Sequence, residues 1–354
     1  MDLMSDILDG SVSNYTTVTT PLNITQCLPQ KLNVVLPSLL TIFFIVGFTL
    51  NCLSLWIFWF QIKKWNSGMV LQFNLAVADA IITPAAPLIV LYSLSDDWIY
   101  GQFLCQMKVY LLSVHMYGSI SFLTVISIHR YMTVVHGTKN PRFADVEFVK
   151  KLCLFVWVFL ILQGLPFFGI LKTSYINNST KCLSFHQNDM AELYFVYNVM
   201  VLIVGLMVPF CVCVICYSLL SSFISKINTC NVKGEVMKAK STQMIAVSLF
   251  IFTICYIPVH ITRTMGVTVK LFFPFHCTLL EKTEIAYYIT YTLSGANCCL
   301  DPILYCFASK KFKTSFNSYF SNLKVSCPGC DSMSRKKDEL PTPSFNMTDS
   351  SQVI

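Results

Sequence analysis

The chain reads as an all-α membrane protein: a seven-transmembrane helix bundle with a short amphipathic helix behind the seventh span. Three observations carry this. Seven apolar stretches, each long enough to cross a bilayer, are separated by short polar loops; a spanning helix needs about 20 mostly apolar residues. Hydrophobic residue types make up 55% of the chain and charged ones 12%, which excludes an ordinary water-soluble domain. Inside the stretches ionisable residues are few, among them Asp79, Lys108, His115, Arg130, His260, Arg263 and Asp301. A charge at the centre of a membrane costs about 2.5–3.5 kcal/mol even on the lenient insertion scale, so each of these is a candidate for function.

Residues 1–31 form a Ser/Thr/Asn-rich outer tail, with N-glycosylation sequons at Asn14 and Asn23. It lacks the apolar core of a signal peptide, so helix 1 is expected to serve as its own insertion signal. The spans are Val34–Phe60, Met69–Leu94, Phe103–Val135, Leu152–Leu171, Leu193–Phe223, Met244–Val267 and Ile285–Phe307, within a bundle covering residues 32–308. The first, fourth and fifth contain no acid or base. In lipid each backbone amide must be satisfied within its own segment, so runs of this length are helices rather than barrel strands.

Orientation follows the basic residues. Lys63 and Lys64 follow helix 1, Lys139, Arg142, Lys150 and Lys151 follow helix 3, Lys226 to Lys240 carry the loop after helix 5, and Lys310, Lys311 and Lys313 follow helix 7. The N-terminus is therefore expected outside the cell and the C-terminus in the cytoplasm. The sequons at Asn177 and Asn178 fall on the same outer side. The basic balance reads as attraction to the cytoplasmic leaflet; nothing points to a nucleic-acid partner.

Of the sixteen cysteines, four fall on the oxidising side: Cys27, Cys105, Cys182 and Cys277. They allow three pairings. The expected one joins Cys105 to Cys182 and Cys27 to Cys277. The cysteines within the helices read as small hydrophobes. Cys327 and Cys330 lack the second pair that a zinc site needs, and read as palmitoylation sites. Residues 309–324 form the amphipathic membrane-surface helix, with Phe312, Phe316 and Phe320 on one face. Residues 325–354 read as a disordered cytoplasmic tail, whose Ser and Thr residues would recruit arrestin once phosphorylated.

Asp79 and Asp301 both lie within spans, and two acids in one bundle must face each other, a cation or water. Asn51, Ser119 and Asn297 complete an oxygen-rich set, which suits either a sodium ion or a water-filled polar network. Arg130, at the inner end of helix 3, is either a snorkelling cation or a latch that rearranges when helices move. His260 and Arg263 share one face of helix 6 near its outer end. An arginine there either binds a phosphate or carboxylate with its planar fork or turns outward to an acid.

The chain resembles the rhodopsin-like (class A) G-protein-coupled receptors over about residues 33–320. The matching residues are Asn51, Leu75-Ala-Val-Ala-Asp79, Cys105, Arg130, Trp157, Pro209, Tyr217, Cys255-Tyr-Ile-Pro258 and Asp301-Pro302-Ile-Leu-Tyr305. Within the class it is most similar to the purinergic branch, through His129-Arg130-Tyr131, Asp97-Trp98-Ile-Tyr-Gly101, Cys27 with Cys277, and His260-Ile-Thr-Arg263.

The resemblance implies a receptor that activates a heterotrimeric G protein when helix 6 moves. Arg130 and Tyr217 would meet in the active state, Tyr305 would swing inward, and Pro258 would let helix 6 pivot. Asp79, Ser119, Asn297 and Asp301 would hold an allosteric sodium ion, with no other cofactor. Three residues depart from the family pattern: His129 replaces the acid before Arg130, Tyr256 the usual Trp or Phe, and Asp301 the commoner Asn. Val109 and Tyr291 stand where nucleotide receptors carry further bases.

The expected ligand site is Tyr110, Ser113, Tyr117, His260, Arg263, Tyr287, Tyr288 and Tyr291, an aromatic cup with one strong cation for a small extracellular anion. Such a cup suits a lysophospholipid, a lipid acid or a small carboxylate as well as a nucleotide. A scavenger receptor that binds without coupling is a further reading. A retinal protein is excluded because helix 7 lacks the Schiff-base lysine. A metallohydrolase is excluded because the histidines do not cluster. The odd helix count and the lack of duplicated halves argue against a transporter.

Overall fold

The computed structural model describes residues 27, 34–136, 141–176, 178–182, 190–226 and 232–325. Among the described residues six helices are long and apolar enough to span a membrane: α1 Val35–Gln61, α2 Ser67–Ser95, α3 Gly101–Val135, α4 Val146–Ile170, α5 Ala191–Ser225 and α6 Lys238–Phe272. The seventh, α7, is built from Cys277–Ser294 and Asn297–Ala308 with a break at Gly295 and Ala296, and α8 follows at Lys310–Val325. The bundle agrees with the sequence expectation. α7 starts about two turns before Ile285, because its outer end carries Glu281, Lys282 and Glu284, which hide it from an apolar reading.

Local chemistry sets the helix ends. The Asn66 side chain accepts a hydrogen bond from Met69 N at 2.9 Å and opens α2. Asp145 accepts from Glu147 N and Phe148 N and opens α4. Both are N-caps that satisfy otherwise orphaned amides. The helices are not uniformly α: Ile57–Gln61, Ile203–Met207 and Ile251–Tyr256 are π-helical. Pro209 and Pro258 stand two residues beyond the last two of these stretches. A proline removes an amide from the ladder, and a local π adjustment re-satisfies the freed backbone.

α3 is the most enclosed span and α5 the least. Large apolar residues face outward, among them Leu154, Phe155 and Leu162 of α4 and Val196, Met200 and Ile203 of α5. Lipid replaces water as the solvent for such faces. The inner core gathers Phe58, Leu71, Leu75, Phe122, Phe252 and Tyr305, all fully buried. Gly118 of α3 lets α2 approach closely, since a Cβ there would lie 2.9 Å from Ala78 Cβ.

On the outer side, β1 Thr173–Ile176 and β2 Ser179–Cys182 pair antiparallel. Asn178 in their turn has φ 58°, a left-handed conformation that Asn tolerates, and its side chain is exposed. Both expected disulfides are present, Cys105–Cys182 and Cys27–Cys277, with Cα atoms 5.7 and 5.1 Å apart. The first ties the hairpin to the outer end of α3. The Asp97-Trp98 segment holds the hairpin as well: Thr180 N donates to Asp97 Oδ1 at 2.7 Å, and Trp98 N donates to Thr180 O at 2.8 Å. Lys181, almost wholly buried, bridges to Asp96 Oδ2 at 2.7 Å.

On the inner side, Phe312 of α8 is buried and stacks on Phe316 at 5.7 Å, while Lys310, Lys311 and Lys313 are exposed. This matches one apolar face beside basic residues. The side chain of Phe320 lies outside the described residues, as do Asn14, Asn23, Asn177, Cys327, Cys330 and residues 326–354.

Candidate functional site

The expected ligand residues divide into groups. Arg263 is buried in α6, with its Nη2 donating to Tyr194 Oη at 3.4 Å and its guanidinium 5.9 Å from the Tyr194 ring centre. Tyr117 of α3 and Tyr287 of α7 are close enough to interact electrostatically with it. Arg263 Nε has no hydrogen-bond partner among the described residues. One turn earlier His260 stacks on Tyr117, ring centres 5.4 Å apart and planes 18° apart, and its Nε2 is likewise unpartnered among them. Arg263, His260, Tyr117 and Tyr287 thus form one cup.

Tyr287 also stacks on Tyr291 at 5.8 Å and touches Tyr288 at 5.5 Å. These three line a cleft between α1, α2, α3 and α7, about 760 Å³ including its open mouth. Arg263, His260 and Tyr117 do not line it. Two other expected residues fall elsewhere. Tyr110 packs on Phe168 at 5.4 Å, against the Gly164 side of α4. Ser113 is buried in α3 and does not line the cleft. One residue is a full 100° of helix rotation, so an aromatic at the right height is no guide to its direction.

The cleft contains a cation outside the expected set. Lys108 lines it, with its ammonium 4.7 Å from the ring centres of both Tyr92 and Trp98. Glu284, deeply buried in α7, lies 3.5 Å from Tyr288 Oη, which donates to its Oε1. Lys108 stands out in sequence as a charge among apolar residues, whereas Glu284 is one of several charges at the outer end of α7. Only the packing tells which way they face.

Deeper in the bundle, Ser119 Oγ donates to Asp79 Oδ1 at 2.7 Å, and His115 Nδ1 lies 3.8 Å from the same oxygen. Asp301 and Tyr305 approach Asp79 from α7. Asn297 Nδ2 donates to Tyr256 Oη at 2.6 Å, which joins α7 to α6. Asn51 instead spends its amide on the backbone carbonyls of Gly47 and Cys298, at 3.0 and 2.8 Å. Asp79 Oδ2, Asn297 Oδ1 and both Asp301 carboxylate oxygens lack hydrogen-bond partners among the described residues. Buried oxygens without donors suit a hard cation, so the residues fit a sodium ion.

At the inner end, Arg130 and Tyr217 are near enough to interact electrostatically, while Tyr217 Oη has no hydrogen bond among the described residues. His129, where the family has an acid, bonds Ser67 Oγ at 2.9 Å. Tyr305 packs between Phe58 and Phe312, at 5.7 and 5.6 Å. Pro258 lies just outside the π-helical stretch of α6, in the first turn of the α-helical part that follows. Beyond it Thr262 and Thr290 share a hydrogen bond of 2.8 Å between α6 and α7. Trp157 Nε1 donates to Asn74 Oδ1 at 2.8 Å and ties α4 to α2.

Residues 50–305 match the family described as 7 transmembrane receptor (rhodopsin family). Among curated proteins, purinoceptor 4 of Rattus norvegicus is 32% identical over 286 residues, 79% of this chain and 77% of its own length. Purinoceptor 1 of Gallus gallus is 30% identical over 283 residues, 78% of this chain and 77% of its own. Purinoceptor 1 of Homo sapiens is 30% identical over 283 residues, 78% and 75% respectively. The chain is a multi-pass plasma-membrane protein that belongs to the rhodopsin-like (class A) family of seven-transmembrane receptors, within its purinergic branch, and it is a receptor rather than an enzyme.

Proposed function

We propose that this receptor binds a small extracellular anion in the Arg263 cup and activates a heterotrimeric G protein through movement of α6. The observation that carries the reading is Arg263 itself: a buried guanidinium whose Nε has no partner among the described residues, ringed by Tyr194, Tyr117 and Tyr287. Tyrosine hydroxyls offset only part of the cost of burying a cation. An anion held bidentately by the fork supplies the rest. The relatives' name, purinoceptor, makes a nucleotide the first ligand to test.

Transmission is a population shift: a ligand that binds the open bundle better biases α6. The pivot is Pro258 with the π-helical stretch before it, and the Tyr256–Asn297 bond joins that pivot to the acid pocket. Asp79, Ser119, Asn297 and Asp301 would hold sodium there, whose charge would offset that of the acids. Arg130, Tyr217 and Tyr305 form the inner switch facing the G protein.

In this reading the N-terminus is extracellular and the C-terminus cytoplasmic. Asn14, Asn23, Asn177 and the exposed Asn178 are glycosylation sites on the outer face. Cys327 and Cys330 carry palmitate, and the phosphorylated tail recruits arrestin. α8 packs on the inner end of the bundle through the buried Phe312 and faces the inner leaflet with the exposed Lys310, Lys311 and Lys313.

The test is a calcium and cyclic-AMP screen of cells expressing the chain, against nucleotides, lysophospholipids and dicarboxylates, with Arg263→Ala in parallel. An anionic agonist active on the parent should lose at least tenfold in potency on the variant. Equal responses would remove Arg263 from the site.

A further inference from the structure

We propose that Gln72 of α2 is a second acceptor for the Tyr305 hydroxyl: when α6 withdraws, Tyr305 turns from Asp79 toward the inner end and donates to Gln72 Oε1, which favours the open bundle. This rests on the reading that α6 moves.

The placement follows from helix phase. Gln72, Leu75, Ala76 and Asp79 recur at i, i+3, i+4 and i+7, one face of α2, and all four are buried. Gln72 therefore points into the bundle, about 10 Å inward of Asp79 along the helix. Its Oε1 has no hydrogen-bond partner among the described residues. A buried acceptor left unmade is costly, and neither lipid nor an apolar core offsets the loss. The other unpartnered side-chain acceptors, on Asn51, Asp79, Gln163, Asn297 and Asp301, lie at the acid pocket or outward of it. Among the described residues Gln72 alone lies inward.

The partner follows from packing. Phe58 of α1 touches Phe73 of α2 at 6.3 Å and the Tyr305 ring at 5.7 Å, so Tyr305 stands at the depth of Gln72. α2 packs on the same half of α7. The fully buried Tyr305 hydroxyl approaches Asp79 and falls short of a hydrogen bond to any described residue. One donor thus has two acceptors on one face of α2, two turns apart. Tyr217 and Ser248, the other unpartnered hydroxyls of the inner half, approach each other from α5 and α6.

α6 sets when the ring turns. Met244 and Ser248 of α6 are buried, and its inner half packs on Asn297–Ala308 of α7. The turned ring needs the space that this half of α6 fills. The bond to Gln72 therefore forms in the open bundle alone and weights that state.

The test is the fluorine NMR spectrum of the full chain in nanodiscs. A trifluoromethyl-phenylalanine replaces Ala239, exposed on the inner end of α6, and the strongest agonist among the screened nucleotides, lysophospholipids and dicarboxylates is present at saturation. The ratio of open to closed resonances is read in the parent, Gln72→Met, Tyr305→Phe and the double variant. Methionine keeps the length of glutamine and carries no oxygen. Gln72→Met should lower the ratio about fivefold, the worth of one hydrogen bond. Its ligand-free melting temperature should match the parent's or exceed it, because an orphaned acceptor is gone. In the Tyr305→Phe background the same substitution should change the ratio by less than about twofold, since there Gln72 lacks a donor in both states. A variant that melts lower is judged by the two backgrounds alone. Equal falls in both backgrounds would make Gln72 a packing residue and overturn the proposal. A parent that responds and a Gln72→Met that keeps its ratio would overturn this proposal alone. If none of the screened classes moves the signal in the parent, the α6 reading fails and this proposal fails with it.

Discussion

His129 Nε2 and Ser67 Oγ lie 2.9 Å apart, both buried, and tie the inner end of α3 to the first turn of α2. The residue before Arg130 thus bonds a neighbouring helix through a hydroxyl, where an acid would bond the arginine. Ser67→Ala would leave that ring nitrogen buried without its partner, at a cost of about 1–3 kcal/mol. The variant should unfold at a lower temperature than the parent, and Ser67→Thr should recover most of the loss. Matching melting curves for Ser67→Ala and parent would show that the contact contributes nothing.

The acid pocket makes a separate prediction about salt. If Asp79 and Asp301 hold sodium, the ion stabilises the folded state by mass action, about 1.4 kcal/mol when it stands at ten times its Kd. The melting temperature of purified receptor should be higher in sodium chloride than in N-methylglucamine chloride at equal ionic strength. In Asp79→Asn that difference should vanish. An equal shift in parent and variant would leave the pocket as a water-filled network.

The outer hairpin rests on Lys181 and Asp96. Removing one member of a fully buried pair costs about 3–5 kcal/mol. The Asp96 side chain is 31% exposed, so solvent screening reduces this to on the order of 1 kcal/mol. A double-mutant cycle with Lys181→Ala and Asp96→Ala, read by thermal unfolding, should return a coupling of about that size. A coupling indistinguishable from zero would mean that this ion pair contributes nothing to holding the hairpin.

Gly118 faces a neighbour that cannot yield. An added Cβ would sit 2.9 Å from Ala78 Cβ, which has no flexible end, so α2 and α3 would have to part. Gly118→Ala should cost about 1–3 kcal/mol and reduce surface expression. Gly169→Ala, where nothing lies within 4 Å, should express like the parent. Equal expression of the two variants would contradict the close approach.

The spans were legible because lipid leaves the backbone one economical solution, and a run of apolar side chains announces it. The acid pocket was legible for a related reason, as polar residues with few places to go, and the disulfides because only four cysteines fall on the oxidising side. Three things were not. The π-helical stretches at Ile57–Gln61, Ile203–Met207 and Ile251–Tyr256 shift the backbone without changing composition. The directions of Lys108 and Tyr110 depend on a helix rotation that changes by about 100° at each residue, so the cation fell inside the cleft and the tyrosine on the α4 side. Contacts such as Ser67 with His129, 62 residues apart, join polar residues that each look ordinary in their own segment.

The central claim is that an outer anion at Arg263 moves the inner end of α6. The most direct measurement is the fluorine NMR spectrum of a trifluoromethyl-phenylalanine placed at Ala239, an exposed position on that end, with and without an anionic agonist from the screen. The agonist should shift signal intensity to a second resonance in the parent and leave Arg263→Ala unchanged at the same concentration. A spectrum that stays the same in the parent when the agonist is bound, or that shifts equally in the Arg263 variant, would contradict the account.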